Sequence, residues 1–276
     1  MVGCPCGAVL PVTGPRQAAV WDTSMAERMA VGRHSSCPRV APRNGVVKKT
    51  ASLQGGVMAR RLPLPAPRPL LHPLRGVDSA RSRVQLLSHH RMRVTIDHQP
   101  LAGITPGMLL WWFRHIGDPT TYAGQDISSY LAWHPLDHIH WELGRAAPGG
   151  GAGEGARFRI VEAFDRRQEF YVDTAETVEK LDDTGIRLVR RLVGIPVFQL
   201  EHTWSACAQG THYVSVLDLG ARSPFLAPVN RYLSTRAFPE RMARAWVVHN
   251  VEEVGVLEHL LRDILRQRPD VVGLAR

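Results

Sequence analysis

The sequence predicts an α+β fold in which a curved antiparallel sheet wraps around one long C-terminal helix. Two observations support this prediction. From residue 239 to residue 268 the chain has apolar residues at three- and four-residue spacings and no proline in the interior of the stretch. From Ala156 to Leu219 the apolar period changes to two, as expected of strands. Packing the sheet against the helix would bury both apolar faces and enclose a cavity, which is the helix-grip arrangement.

The C-terminal helix is predicted to begin at Pro239, because proline suits the first helical position, and to end at Arg268. Its apolar stripe consists of Met242, Trp246, Val256, Leu260 and Ile264. His249 and Glu253 lie on the same stripe four residues apart, so their side chains stand one above the other. An imidazole and a carboxylate at that spacing can bind one divalent metal, although most such pairs are solvated or merely hydrogen bonded.

A shorter helix is predicted over Ile104–Ile116, where Thr105 can act as the N-cap and Pro106 occupies the first helical position. The strands are predicted after a glycine-rich hinge, from apolar alternation and turn signals. They are Arg157–Phe164, Ile186–Val193 and the hairpin of Val197–Ser205 with Thr211–Leu219.

The first of these strands carries a carboxylate on its apolar face. Phe158, Ile160 and Phe164 share one side of the strand, and Glu162 points the same way. A register error of one residue would instead send Glu162 to solvent. His202 likewise occupies the apolar face of a later strand.

If the sheet and the helix face each other, Glu162 and the pair His249 and Glu253 point into one interior. One further ligand would complete a four-ligand site of nitrogen and oxygen atoms. The candidates fall within one histidine-rich segment: His134, Asp137, His138 and His140. Asp137 could instead orient a ligating imidazole, and the histidines could be ordinary hydrogen-bonded or surface residues. Such ligands suit zinc but also iron, manganese or cobalt, so the ligand types leave the metal open.

Residues 1–88 differ in composition from the rest of the chain. They are rich in Pro, Arg, Gly and Ser, and residues 1–93 contain fifteen Lys or Arg against three Asp or Glu. The net charge of +9 therefore belongs to this segment. We expect residues 1–88 to be a disordered or low-complexity basic tail and residues 89–276 to form one helix-grip domain. No recognition motif accompanies the basic charge, so a nucleic-acid partner is not expected.

Cysteine usage and hydropathy favour the cytoplasm. Cys4, Cys6, Cys37 and Cys207 lack the paired spacing of a zinc ribbon or of a secreted disulfide framework. The sequence has no apolar run of about 18 residues that would span a membrane, and its N-terminus lacks the order of a signal peptide. We therefore expect a cytoplasmic protein with no membrane partner. A homodimer is compatible with the sequence.

Four segments together resemble the 2,4-diacetylphloroglucinol hydrolase and phloretin hydrolase family. They are ITPGMLLWWFRHI, SSYLAWHPLDHIHWE, GARFRIVEAF and HNVEE, and the resemblance covers about residues 95–265. It implies a Bet v 1-like or START-like helix-grip fold. It also implies an enzyme that uses bound zinc to cleave the carbon–carbon bond between an aromatic ring and an acyl group. The implied partner is a small acylated phenolic substrate.

The resemblance further implies the identity of the site residues. Two histidines and two glutamates serve as zinc ligands in that family, and they correspond to His138, Glu162, His249 and Glu253. Tyr130 corresponds to a tyrosine that contacts substrate, and His202 is the match for a histidine of the central strands, here a candidate proton carrier. Trp141 stands where the characterised enzyme has an asparagine, so the substrate itself is left open.

Two other functions compete with the hydrolase. Helix-grip proteins also act as non-catalytic carriers of hydrophobic small molecules. The four predicted ligands favour the enzyme, because a carrier gains nothing from two buried carboxylates. A third interpretation treats the basic tail as an interaction module, which removal of residues 1–88 would test.

Overall fold

Eight antiparallel strands of one sheet, together with a 27-residue helix, form the body of the protein. The structure is a computed structural model that describes residues 61–268. The order of strands across the sheet is β1-β2-β10-β9-β8-β7-β6-β5, and β3 and β4 form a separate hairpin. The strands are β1 Arg81–Leu87, β2 Arg91–Asp97, β3 Pro119–Tyr122, β4 Gln125–Ser128, β5 His138–Arg145, β6 Arg157–Ala163, β7 Tyr171–Asp182, β8 Gly185–Leu192, β9 Ile195–Cys207 and β10 Gly210–Leu219.

The helices are α1 Pro106–Arg114, α2 Ser129–Trp133, α3 Ala227–Tyr232 and α4 Glu240–Arg266. The N-cap predicted for α1 is confirmed, because the Thr105 hydroxyl accepts a hydrogen bond from the Met108 N–H at 3.2 Å. The long helix is confirmed with slightly different ends. Pro239 is its N-cap rather than its first helical residue.

The predicted stripe of α4 is buried along its whole length, and His249 and Glu253 are 1% and 5% exposed. Sheet and helix thus have the α+β helix-grip architecture that the sequence predicted. The register predicted for β6 is confirmed as well. Glu162 pairs with Val172 of β7 and points to the side of the sheet that faces the helix.

The β9–β10 hairpin is confirmed by the pairing of Gly210 with Cys207 across its turn. Gly210 has a φ of +131°, and a Cβ there would lie 2.1 Å from the Leu101 carbonyl oxygen, so glycine is required. The strands β5 and β7 were not predicted, although they pair with β6 on either side of Glu162.

The boundary predicted between residues 88 and 89 falls inside the β1–β2 hairpin, so the sheet begins earlier than expected. Residues 61–76 begin on the outer face of the sheet, where Leu62 and Leu64 pack against Val161, Ala163 and Tyr171, and they reach α4 at Arg75. We call residues 61–76 the strap. The rest of the predicted tail, residues 1–60, lies outside the described residues.

Candidate metal centre and adjoining cavity

Four side chains from three elements converge between the sheet and α4. His138, the first residue of β5, lies opposite Glu162 of β6, and α4 supplies His249 and Glu253. The His138 Nε2 atom is 3.4 Å from Glu162 Oε1 and 3.4 Å from Glu253 Oε2. The His249 Nε2 atom is 3.8 Å from Glu162 Oε2 and 3.7 Å from Glu253 Oε2. Tetrahedral zinc with bonds of about 2.0–2.1 Å separates its ligand atoms by roughly 3.4 Å, so the spacing fits one cation.

The hydrogen bond on the far side of His138 fixes its tautomer. Its Nδ1 atom is 2.6 Å from the backbone carbonyl oxygen of Tyr130, which can only accept, so Nδ1 carries the proton. Nε2 therefore presents a lone pair, and it is a buried atom with no hydrogen-bond partner among the described residues. A lone pair facing two carboxylates is unfavourable unless a cation lies between them.

His249 is oriented in the same way by Asp137. Its Nδ1 atom is 3.0 Å from Asp137 Oδ2, and the Asp137 carboxylate also accepts the backbone N–H groups of Asp165 and Arg166, each at 3.1 Å. Burial opposes ionisation of Asp137, but the hydrogen bond from His249 lowers its pKa to about 2. The arrangement is the carboxylate–histidine pairing that typically orients a metal-bound imidazole.

A second grouping, His134 with Asp137 and His249, is also close enough to hold an ion. Its atoms are already engaged, however. The His134 Nδ1 atom accepts the Asp137 N–H at 3.1 Å, so Nε2 carries the proton that faces Glu252 Oε2 at 3.0 Å. His140 lies outside both groupings, with a side chain that is 40% exposed. Of the histidine-rich segment, only His138 has a free lone pair aimed at the other ligands.

The four side chains bring two carboxyl groups and two imidazoles together in the protein interior, which shifts their pKa values. Burial raises the pKa of Glu162 to about 7. Burial acts in the same direction on Glu253, but His249 and His138 lower its pKa to about 2. Burial disfavours a charge on His249, yet Glu253 and Asp137 raise its pKa to about 9. The site therefore favours positive charge at its centre, which a divalent cation would supply with two neutral imidazoles and two carboxylates.

A largely apolar cavity adjoins the four side chains. Its walls are mostly aromatic and aliphatic, with Phe113, Trp133, Trp141, Phe158 and Trp246 among them. Its polar lining consists of Tyr130, Glu162, Thr174, Glu176, His202 and Glu253. Trp141 packs so closely on Gly117 that a Cβ there would lie 2.1 Å from its ring. The bulky indole thus occupies part of the cavity.

The two other predicted site residues both lie on this cavity. The Tyr130 ring stacks on the His138 ring with centroids 3.9 Å apart, and its hydroxyl donates a hydrogen bond to Glu162. His202 is 3% exposed, and burial lowers its pKa to about 4, so its imidazole is neutral near pH 7.

A chain of polar groups that was not predicted leads away from His202. The Ser215 hydroxyl lies 2.9 Å from His202 Nδ1 and 3.0 Å from His98 Nε2. Asn250 of α4 lies beside His98 and donates a hydrogen bond to Glu253 at 2.5 Å. Cross-strand pairing of Ser215 with His202 brings these groups together, and it could not be seen before the strand register was known.

No protein-family model and no curated protein matches the chain. Several solved structures are similar to it at low identity. A protein from Nitrosomonas europaea is 13% identical, with 65% of this chain and 99% of that chain covered and a TM-score of 0.36. A protein of unknown function from Staphylococcus aureus is 12% identical, covering 64% and 97%, with a TM-score of 0.38. The structure of Ara h 8.0201 is 10% identical, covering 59% and 97%, with a TM-score of 0.32.

These similarities carry no information about activity, and the fold assignment rests on the sheet order and the long helix. None of them bears on the hydrolase family that the sequence resembles. Among the described helices, none is both long and apolar enough to cross a membrane.

Proposed function

We propose that this protein is a metal-dependent hydrolase that cleaves the carbon–carbon bond between a hydroxylated aromatic ring and an acyl group. The observation that carries the proposal is the convergence of His138, Glu162, His249 and Glu253 at the wall of an aromatic-lined cavity. Two buried carboxylates are costly, and a carrier of apolar molecules has no use for them. The motifs that resemble the phloroglucinol-type hydrolases supply the reaction class.

The four side chains would hold a divalent cation, which is zinc in the family that the sequence resembles. When bound, such a cation polarises an acyl carbonyl and lowers the pKa of water towards about 7. Asp137 and the Tyr130 carbonyl keep the two imidazoles in the tautomers that ligation needs. Ligand types still leave iron, manganese or cobalt open.

The apolar walls hold the aromatic ring and exclude bulk water from it. Hydrolysis adds a hydroxyl group to the acyl carbon and a proton to the ring carbon, and the electron pair of the broken carbon–carbon bond returns to the ring. His202 would move that proton. With Nδ1 of His202 donating to the Ser215 hydroxyl, the Nε2 atom of His202 has a free lone pair.

The polar chain holds His202 in this tautomer. Nε2 takes the proton that the attacking water loses and passes it to the ring carbon, while the Ser215 hydroxyl, which donates in turn to His98 Nε2, keeps the other proton on Nδ1. The imidazole of His202 is therefore neutral before and after the transfer, consistent with the low pKa that burial gives it. Tyr130, whose hydroxyl already donates to Glu162, borders the same space.

Elemental analysis of the purified protein tests the proposal. We expect about one divalent metal per chain in the wild type and none in Glu253→Ala. Glu240→Ala is the matched control, because Glu240 is on the same helix and pairs with Arg244 at an exposed position outside the site. The metal-loaded protein should release acetate and 1,3,5-trihydroxybenzene from 2,4,6-trihydroxyacetophenone. A wild-type protein that stays metal-free after expression with zinc, yet binds this ketone, would be a carrier.

A further inference from the structure

A second buried carboxyl group, that of Glu176, lines the cavity away from the metal centre. Glu176 belongs to β7, on the same face as Val172 and Thr174. Val172 pairs with the predicted ligand Glu162, whereas Glu176 pairs with Phe158. Four residues at about 3.3 Å each place the Glu176 backbone roughly 13 Å along the strand from the level of Glu162. The two carboxyl groups thus mark different levels of one cavity.

The contacts of Glu176 are incomplete. Its side chain is 1% exposed, and its Oε1 atom accepts a hydrogen bond from the Thr174 hydroxyl. Its Oε2 atom is buried with no hydrogen-bond partner among the described residues. Leaving a buried polar atom unsatisfied costs about 1–3 kcal/mol, and more for a charged group. The free oxygen at the cavity wall is therefore a place where a ligand gains a hydrogen bond.

Glu176 has the surroundings of a hydrogen-bonding site rather than those of a metal ligand. It belongs to neither of the groupings that could hold an ion. Its neighbours are the Thr174 hydroxyl and Arg190, which donates to Thr174 Oγ1 at 3.3 Å. Burial raises the pKa of Glu176 to about 7, so near neutrality the carboxyl both accepts and donates hydrogen bonds. A neutral hydroxyl group of a ligand can donate a hydrogen bond to the ionised carboxylate or accept one from the protonated carboxyl group.

We infer that Glu176 anchors a ring hydroxyl group of the substrate and thereby selects hydroxylated aryl ketones over unsubstituted ones. The inference rests on the proposed function for the placement of the acyl group beside His138 and Glu253. The aromatic ring would lie between the two ends, against apolar walls such as Phe158 and Leu188. A site built to bond a hydroxyl group rejects the analogue without one, since its own polar group is then left unpaired.

Calorimetric titration of the metal-loaded protein with 2,4,6-trihydroxyacetophenone and with acetophenone tests the inference. We expect the wild type to prefer the hydroxylated ketone by about tenfold or more, as one charge-assisted hydrogen bond implies. In Glu176→Leu this preference should fall at least about tenfold, with the Kd for acetophenone changed less than about twofold. Glu176→Gln, which retains an amide that donates and accepts, should keep part of the preference.

Glu201→Leu is the control, because it makes the same change in β9 at a carboxylate that pairs with Arg187 at 2.7 Å, away from the cavity. It should keep the wild-type ratio. Equal weakening of both ketones in Glu176→Leu would overturn the inference, and so would an unchanged ratio. If Glu176→Leu does not fold, the inference can still be refuted by the wild type alone, because equal affinities of the wild type for the two ketones would overturn it. Metal content and turnover are read separately, so a protein that prefers the hydroxylated ketone without hydrolysing it contradicts only the proposed function.

Discussion

Each histidine of the metal centre is oriented by a hydrogen bond on the ring nitrogen that faces away from the centre. For His138 the acceptor is a backbone carbonyl oxygen, and for His249 it is the Asp137 carboxylate. Asp137 is held in turn by two backbone N–H groups, so it cannot rotate away without losing both. Such outer partners fix the tautomer and raise the basicity of the ligand.

Asp137→Asn should weaken metal binding by about 10- to 100-fold, because an amide no longer supplies the negative charge that supports His249. Competition with a chelator of known affinity measures the change. Asp173→Asn is the control, since Asp173 is an ion-pair partner of Arg159 at 2.9 Å outside the site. Equal metal affinities in the wild type and Asp137→Asn would contradict the role given to Asp137.

Ser215→Ala removes the hydroxyl group that joins His202 to His98. Turnover of 2,4,6-trihydroxyacetophenone should fall by about 100-fold, as expected when the proton carrier His202 is no longer held in position. Metal content and ketone affinity should be unchanged, because Ser215 contacts neither the ligands nor the proposed ring position. Ser205→Ala, at an exposed position of the same hairpin, should behave as the wild type. Undiminished turnover in Ser215→Ala would exclude the role given to Ser215.

Glu176 should make stability depend on pH. Burial raises the pKa of Glu176 from its ordinary value of 4.5 to about 7, so the folded protein favours the neutral carboxyl. The unfolded chain releases this proton first, and stability therefore falls as the pH rises from 4.5 to 7 and is constant above. The loss is about 3 kcal/mol. Urea unfolding should show Glu176→Gln gaining stability relative to the wild type over this interval; a pH-independent difference would refute the assignment.

At the scale of elements, the helices were easier to predict than the strands. Pro239 and the three- and four-residue spacings identify α4, and Thr105 with Pro106 identifies α1. The strand β7 was not predicted because both of its faces carry polar residues. Thr174 and Glu176 lie on the cavity face, so apolar and polar residues do not alternate along the strand. The strand β5 was not predicted because β-bulges interrupt its pairing with β6, and each bulge breaks the alternation of side chains along the strand.

Thr105→Ala tests the start of α1, the helix whose Phe113 forms one wall of the cavity. Loss of the hydroxyl that accepts the Met108 N–H should lower the free energy of unfolding by about 1 kcal/mol. Urea denaturation measures this, and Thr105→Ser should lose only a few tenths of a kcal/mol. If Ala and Ser variants are equally stable, the cap does not contribute.

At the scale of the whole molecule, the strap ties the outer face of the sheet to the metal centre. The Arg68 guanidinium donates a hydrogen bond to the carbonyl oxygen of His138 at 3.0 Å, and the Leu62 N–H donates to the Tyr171 hydroxyl at 3.1 Å. On the other side, Arg75 pairs with Glu258 of α4. A segment predicted as part of a loose tail therefore holds both β5 and α4.

Two truncated chains test the strap. A chain that begins at Met58 keeps all of the strap and should bind metal and unfold like the full chain. A chain that begins at Met92 lacks the strap and β1, which exposes the outer face of β6 and removes one strand from the sheet. It should fail to fold cooperatively, as circular dichroism on heating would report. Native-like melting of the shorter chain would restore the predicted boundary at residue 88.

Three of the four candidate ligands could be predicted from the periodicity of the sequence, whereas the fourth ligand and Glu176 could not. Helical spacing selects His249 and Glu253, and strand alternation selects Glu162. His138 was chosen over its neighbours only through the resemblance. The segment before β5 is irregular, so it has no helical or strand periodicity that would predict which histidine points into the interior. Glu176 carries no signal of its own, since a glutamate among polar strand residues is ordinarily solvated.

The path of the chain through the metal centre gives a bound cation a mechanical role. A cation shared by His138 and Glu253 would close a loop of about 115 residues, much as a covalent cross-link does. The entropy of the unfolded chain would fall, and the middle of α4 could not detach from the sheet while the ion stayed in place. Extraction of the ion would free the helix and the strand edge together, so the backbone amides around all four ligands would exchange with solvent as one cooperative unit.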